Sequence, residues 1–243
     1  MRKYAYYFIL ISIFMVSCAE EQKQEGITIS GNFLNAKGKQ IYFAELETDG
    51  IKNLDSLVVD EKGTFNFQHK PLDAGFYLVK TNSGENVLLM LEKNETVDLS
   101  ADLGATPFDY QITGSPGSIL LKEFYTQTFE KLSKADSLAA ILRNLQGTPE
   151  FYELSVKLDP LFIQIVEEQQ ALERSFIAKH DTSLASLIVL NYKFGMLPVL
   201  TIDKDFDLYK HLDSTLSKSY PSNKHVVNHH NKVIEYQQSL THP

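Results

Sequence analysis

Three histidines near the end of the chain have the side chains and the spacing to hold a metal ion. His225 and His229 are four residues apart, which on a helix puts both imidazoles on one face, where they could share one ion. His230 follows directly. A third ligand is not at hand, because Glu235 lies six residues beyond His229 and faces another way. The stretch is rich in Lys, His and Asn, so the expectation is an exposed polar face with no resident metal, His225 and His229 being weak candidates only. Asp203, Asp205 and Asp207 alternate as in a calcium loop, but the glycine and the distal glutamate of such a loop are missing. A cap for a following helix is the better reading. Glu167, Glu168 and Glu173 are expected to form a solvated helix face. No Gly-x-Ser-x-Gly elbow, Walker-type loop or dinucleotide fingerprint occurs. The expectation is therefore a protein that is not an enzyme and carries no cofactor.

Cys18 is the single cysteine of the 243 residues. It closes a basic start (Arg2, Lys3) and an apolar run from Tyr4 to Val16. That run of about 13 residues is short for a membrane-spanning helix at 1.5 Å per residue, and the plan is that of a secretory signal peptide. Met15-Val16-Ser17-Cys18 resembles a lipobox, which implies cleavage before Cys18 and acylation of its thiol. The expected divisions are a signal peptide over 1–17 and an acylated Cys with a flexible tether over 18–26. The Glu20-Glu21 pair resembles a surface-export signal, although a solvated linker is the simpler reading. Losing Arg2 and Lys3 leaves 21 basic against 31 acidic side chains. Such a surface excludes nucleic acid as a partner, because phosphate contacts need clustered Lys and Arg. With Cys18 lipidated, no thiol remains for thiol–disulfide chemistry.

The elements that must position these residues come in two kinds. From Ile27 to about Thr113 the apolar period is two. Seven or eight short strands are expected, among them a hairpin around Asp60-Glu61-Lys62-Gly63 and a second across Asn82-Ser83-Gly84. Tyr42, Phe65, Phe67 and Phe76 fall on alternate positions; a core role is the expectation, and an exposed face that stacks on glycan or peptide is the alternative. After Gly114-Ser115-Pro116-Gly117 the period becomes helical. Ser118 is expected to cap a helix with Leu120, Leu121, Phe124, Phe129 and Leu132 on its apolar side, and Asp136 to start another that ends at Gly147. Thr148-Pro149 opens a long helix, with Leu154, Leu158, Leu161, Ile165, Leu172 and Phe176 on one stripe and a kink at Pro160. Asp181 or Thr182 should cap a helix ending near Gly195, Asp205 should open the next, and Lys224 to about Leu240 should be the last. The fold class is α+β: an antiparallel β-sandwich over 27–114, then an all-helical domain over 115–243.

The run of Ile29-Ser30-Gly31-Asn32, Gly38-Lys39-Gln40-Ile41-Tyr42-Phe43, Asp55 to Phe67, Gly75-Phe76-Tyr77-Leu78-Val79 and Ile112-Thr113-Gly114-Ser115, in that order behind a lipobox, resembles the DUF4369 domain of Bacteroidota lipoproteins. Asp181 to Leu187 and Ser219 to Val226 look like later pieces of the same arrangement, in which the DUF4369 and helical parts precede a thioredoxin-like domain of the TlpA/ResA type. There is no Cys-x-x-Cys here, and the sequence ends at Pro243 where that domain would begin, so redox activity is not carried over. The resemblance implies a non-enzymatic lipoprotein anchored in the cell envelope, with the outer membrane as the expected membrane and its face left open. It would act as a binding or scaffolding module whose partner is a thioredoxin-like or other envelope protein. The alternative is the non-catalytic front half of a split or truncated thiol–disulfide oxidoreductase.

Overall fold

A computed structural model of the chain describes residues 26–70, 73–105 and 109–241. Cys18, the signal-peptide segment and the tether up to Glu25 lie outside the described residues. The fold is α+β, with two four-stranded sheets first and helices after them. The first sheet has the order β4-β1-β7-β8, formed by β1 (Ile27–Leu34), β4 (Thr64–His69), β7 (Thr96–Asp102) and β8 (Tyr110–Thr113). The second has the order β3-β2-β5-β6, formed by β2 (Gln40–Leu46), β3 (Ile51–Val58), β5 (Gly75–Thr81) and β6 (Asn86–Leu91). Alternate residues of each strand point into one core. Ile27, Ile29, Phe65, Phe67, Val97 and Leu99 come from the first sheet, and Ile41, Phe43, Tyr77, Val79, Leu89 and Leu91 from the second. Period two buries one face of each strand, as the sequence requires.

Two details depart from expectation. β1 and β7 pair in parallel while the other pairs of both sheets are antiparallel. The chain leaves β1 for the other sheet before returning, and such a crossover permits parallel pairing. The expected hairpin around Asp60 is a passage between sheets: β3 pairs with β2, and β4 pairs with β1. The turn itself is tightly made. Asp60 Oδ1 accepts from the amides of Lys62 (3.0 Å) and Thr64 (2.7 Å), and Oδ2 accepts from Thr64 Oγ1. Gly63 has φ +80°, and a Cβ there would stand 2.4 Å from the carbonyl oxygen of Phe33. A turn with this chemistry suits a hairpin and a crossover equally. The pairing is decided farther off, where Phe65 and Phe67 register on Gly31 and Ile29 of β1.

β5 and β6 are apolar on both faces because both faces are covered. Phe76, Leu88 and Met90 point away from the sandwich core into a second core built with the helices. The join is made at α1 (Pro116–Asn144). Ser115 caps this helix, with Pro116 in its first turn, rather than Ser118 as expected. Ser118 instead accepts from the Met90 amide (3.1 Å), and Ser115 Oγ donates to the Met90 carbonyl (2.9 Å). The two serines thereby satisfy backbone groups of the edge strand β6. Gly117 permits the close approach, since a Cβ would lie 2.0 Å from Met90 Sδ and 3.0 Å from its carbonyl oxygen.

α1 continues where two helices were expected. Nothing at Asp136 breaks it, and Ser137 Oγ returns to the carbonyl of Ser133 (2.8 Å) within the helix. It turns back as α2 (Pro149–Lys179), which runs through the exposed Pro160. α3 (Ala185–Leu190) ends earlier than expected, and a small hairpin of β9 (Lys193–Phe194) and β10 (Leu197–Pro198) replaces its last turn. α4 (Phe206–Ser219) and α5 (Lys224–Thr241) complete the helical region. Among the described residues, no helix is long and apolar enough to cross a membrane.

Candidate functional site at the seam of sandwich and helices

The start of α5 abuts the second sheet, and three local devices hold it there. Asn223 Oδ1 accepts from the amides of His225 (3.0 Å) and Val226 (3.4 Å), while its Nδ2 donates to the carbonyl of Ala74. Lys224 forms ion pairs with Glu45 and Glu47 on the sandwich. Tyr220 donates its hydroxyl to Glu92 Oε1 at 2.6 Å. The helix then presents His225, Asn228, His229 and Lys232, spaced i, i+3, i+4, i+7, to a cavity of about 230 Å³. Leu46 and Phe76 from the sheet and Leu187 and Ile188 from α3 form its apolar wall, with Glu47 and Asn191 at the rim.

The histidine pair does share a face, but that face is turned inward, not to solvent as expected. His225 meets the Phe76 ring edge-on at 4.9 Å, and its Nε2 is buried without a hydrogen-bond partner. His229 is 4 % exposed; its ring stacks on Tyr209 at 5.7 Å and its Nε2 donates to the Tyr209 carbonyl at 3.0 Å. That bond occupies Nε2 and leaves Nδ1 as the unprotonated nitrogen. Burial holds both imidazoles below the ordinary histidine range, with the Lys224 charge adding to the effect at His225. His230 points elsewhere, with Nδ1 3.0 Å from Asp213 Oδ2. No group of three or more His, Cys, Asp or Glu side chains suited to a metal occurs among the described residues. The physical reason is the stripe: Val226, His229 and Val233 are the buried positions of α5, so His229 fills a core site at i+3 between two valines.

Lys232 is the residue that the spacing did not single out. Its ammonium lies 5.3 Å from the Tyr209 ring centre and 3.4 Å from Asn191 Oδ1. It has no ion-pair partner among the described residues. Desolvation, and secondarily the charge of Lys193, hold its pKa below the usual lysine range. Glu47, at the same cleft, is paired with Lys224 instead. The cleft thus sets a cation and two side-chain amides over an aliphatic and aromatic wall. Those groups could hold a compact anion with an apolar part. It holds no paired nucleophile and base. Position i+7 from His225 was the signal that would have placed Lys232 beside it.

Two other sequence expectations resolve differently. Glu173 is fully buried, whereas Glu167 and Glu168 are exposed. Gln169 Nε2 donates to Glu173 Oε1 (3.0 Å) and to Thr128 Oγ1 (3.1 Å), and burial pushes the Glu173 carboxyl up to about 8. Glu173 sits four residues after the buried Gln169 and three before Phe176, on the inner stripe of α2. Asp205 does occupy the cap position of α4, yet its carboxylate bonds elsewhere, to the Thr201 amide (3.1 Å) and Arg174 (2.7 Å). Phe65, Phe67 and Phe76 lie in the cores, so they present no stacking face; Tyr42 is only partly buried.

The second unusual surface is the far half of the α1–α2 hairpin. No residue from Phe129 to Gln164 is buried. A groove of about 410 Å³ runs between the two helices there, lined by Leu138, Leu161 and Ile165 among polar side chains.

Residues 27–119 match the family DUF4369, described as a domain of unknown function. The match covers the sandwich and ends on the serines that dock α1; the rest of the helical region lies outside it. No curated protein matches the chain. A solved structure titled "NMR structure of the protein from Eubacterium rectale" aligns at 16 % identity over 40 % of this chain and 93 % of its own. Its TM-score of 0.23 is too low to carry a structural argument.

Proposed function

We propose that this protein is a non-enzymatic lipoprotein of the cell envelope, held at the outer membrane through lipid on Cys18, that acts as a tethered binding or scaffolding module. The observation that carries the binding role is the seam cleft: a lysine with no ion-pair partner among the described residues and two amides above an apolar wall, assembled from both halves of the fold. The anchor rests on the basic start, apolar run and Met15-Val16-Ser17-Cys18 sequence. Membership of the Bacteroidota lipoproteins rests on the same features together with the DUF4369 match. A photo-crosslinking amino acid at Asn228 of the full chain, activated in native envelopes, tests the cleft. A discrete adduct that disappears on Lys232→Glu is expected; an adduct indifferent to that change would remove the cleft from the function. Cys18→Ala should shift the protein out of the membrane fraction, and retention there with the leader removed would refute the lipid anchor.

A second reading is favoured by the position of the DUF4369 match ahead of a helical region. In it the chain is the non-catalytic partner of a thioredoxin-like protein of the TlpA/ResA type. Recovery of a Cys-x-x-Cys protein as the Asn228 adduct would select this reading over the first.

A further inference from the structure

The seam cleft orients its cation without neutralising it. Lys232 Nζ lies 5.3 Å from the centre of the Tyr209 ring and 3.4 Å from Asn191 Oδ1. Asn191 is itself fixed, because its Nδ2 donates to the Leu187 carbonyl at 2.8 Å. A ring face and an amide oxygen position an ammonium but cancel none of its charge. The charge felt at this end of the cleft is that of Lys193, a second cation.

The other end has the opposite sign. Lys224 pairs with both Glu45 and Glu47, so one cation meets two carboxylates, and Glu47 lines the cavity. Between the ends lies the wall of Leu46, Phe76, Leu187 and Ile188. His225, against the Phe76 ring, and Lys232 mark the two ends along α5, about 10 Å apart at 1.5 Å per residue. Burial holds the pKa of His225 and of His229 down, so the histidines add no positive charge of their own near neutral pH. Asn228 stands one helical turn before Lys232 on the same face, and both border the cavity. An amide N–H and an ammonium spaced in this way suit the two oxygens of one carboxylate.

On the footing that the cleft is the binding site, we propose that its ligand is a small monocarboxylate with an apolar tail. The carboxylate lies between Lys232 and Asn228, and a tail of about six carbons, which fits the length of about 10 Å, runs over Leu187 and Ile188 towards Phe76. The cavity of about 230 Å³ has room for it, since an apolar cavity of about 150 Å³ takes up benzene. A dicarboxylate would set its second charge beside Glu47. A phosphate monoester suits the site less, because the first amides of α5 that could serve it are taken by Asn223 Oδ1.

Full-length chain in phospholipid nanodiscs, titrated by calorimetry with hexanoate and with 3-phenylpropanoate, should bind both saturably with a Kd of about 1 mM or tighter. Hexanamide, which lacks the charge, and adipate, which carries a second one, should each bind roughly tenfold more weakly or worse. Lys232→Met keeps the stem and removes the charge, and should weaken hexanoate about tenfold or more, whereas Lys232→Arg should retain it. Lys232 is an exposed residue, so neither change disturbs the core. Failure of both carboxylates to bind, equal binding of hexanamide or adipate, or indifference to Lys232→Met would each overturn the proposal. A photo-adduct at Asn228 that still disappears on Lys232→Glu would then leave the cleft in use and condemn the ligand class alone. Loss of the carboxylate binding together with that adduct would remove the cleft itself.

Discussion

The sandwich and the helical region bury their interiors on different terms. The sandwich core is aliphatic and aromatic throughout, with Thr81 the buried polar side chain at its margin. The helical region seals in Glu173, Gln169, Thr128, Ser186 and His229. An apolar core responds to volume and hardly to pH, whereas a core that hides titratable groups has its stability linked to proton uptake. The two cores, one apolar throughout and one that encloses Glu173 and His229, meet across Phe76 and Met90.

The sharpest way to break the sandwich is to remove volume. Phe67→Ala, at a site 1 % exposed in contact with Phe43 and Phe65, should cost about 3–5 kcal/mol in denaturant unfolding, and equally at pH 5 and pH 8. Next comes Glu173. Its folded pKa of about 8 lies above the ordinary 4.5, so the folded state binds the extra proton. Stability is greatest below about pH 4.5, declines as pH rises, and is fully lost to this group above about 8. The loss is on the order of a few kcal/mol. Glu173→Gln should flatten that slope, read as hydrogen exchange of α2 and α4 amides at pH 5 and pH 8, with sandwich strands unaffected. A slope that survives the change would place the pH response elsewhere. His225 and His229 act in the opposite sense: both are held below 6.5, so their contribution is present above 6.5 and fades as pH falls. The smallest effect is expected at Asp60→Ala, a slight drop in melting temperature, since only turn hydrogen bonds at an exposed site are lost.

The strands were legible because period two is enforced residue by residue. Ile27, Ile29, Phe65, Phe67, Val97 and Leu99 declare their face with no help from the rest of the chain. Which strand lies beside which was not legible at the Asp60 turn, because a compact turn carries the same residues whether the chain doubles back or crosses over. The interior of the helical region was harder to read for a related reason. A Glu on α2 or a His on α5 ordinarily faces water, and only its place within the valine, phenylalanine and glutamine stripe shows that it does not. The cleft was half visible: the histidine spacing pointed to the right face of α5, but that this face meets Phe76 depends on contacts more than a hundred residues apart.

Those contacts have a consequence in time. The clips that close the seam join Tyr220 to Glu92, Asn223 to Ala74 and Lys224 to Glu45, across 128, 149 and 179 residues. During synthesis the second sheet is complete long before α5 exists; α1 docks on Met90 as soon as it is made, whereas Phe76 waits for His225 of α5. Long-range closure of this kind is slow. The nascent protein therefore passes through a stage in which the sheet surface around Phe76 still lacks its last helix, a natural target for a chaperone and the moment at which aggregation competes with folding.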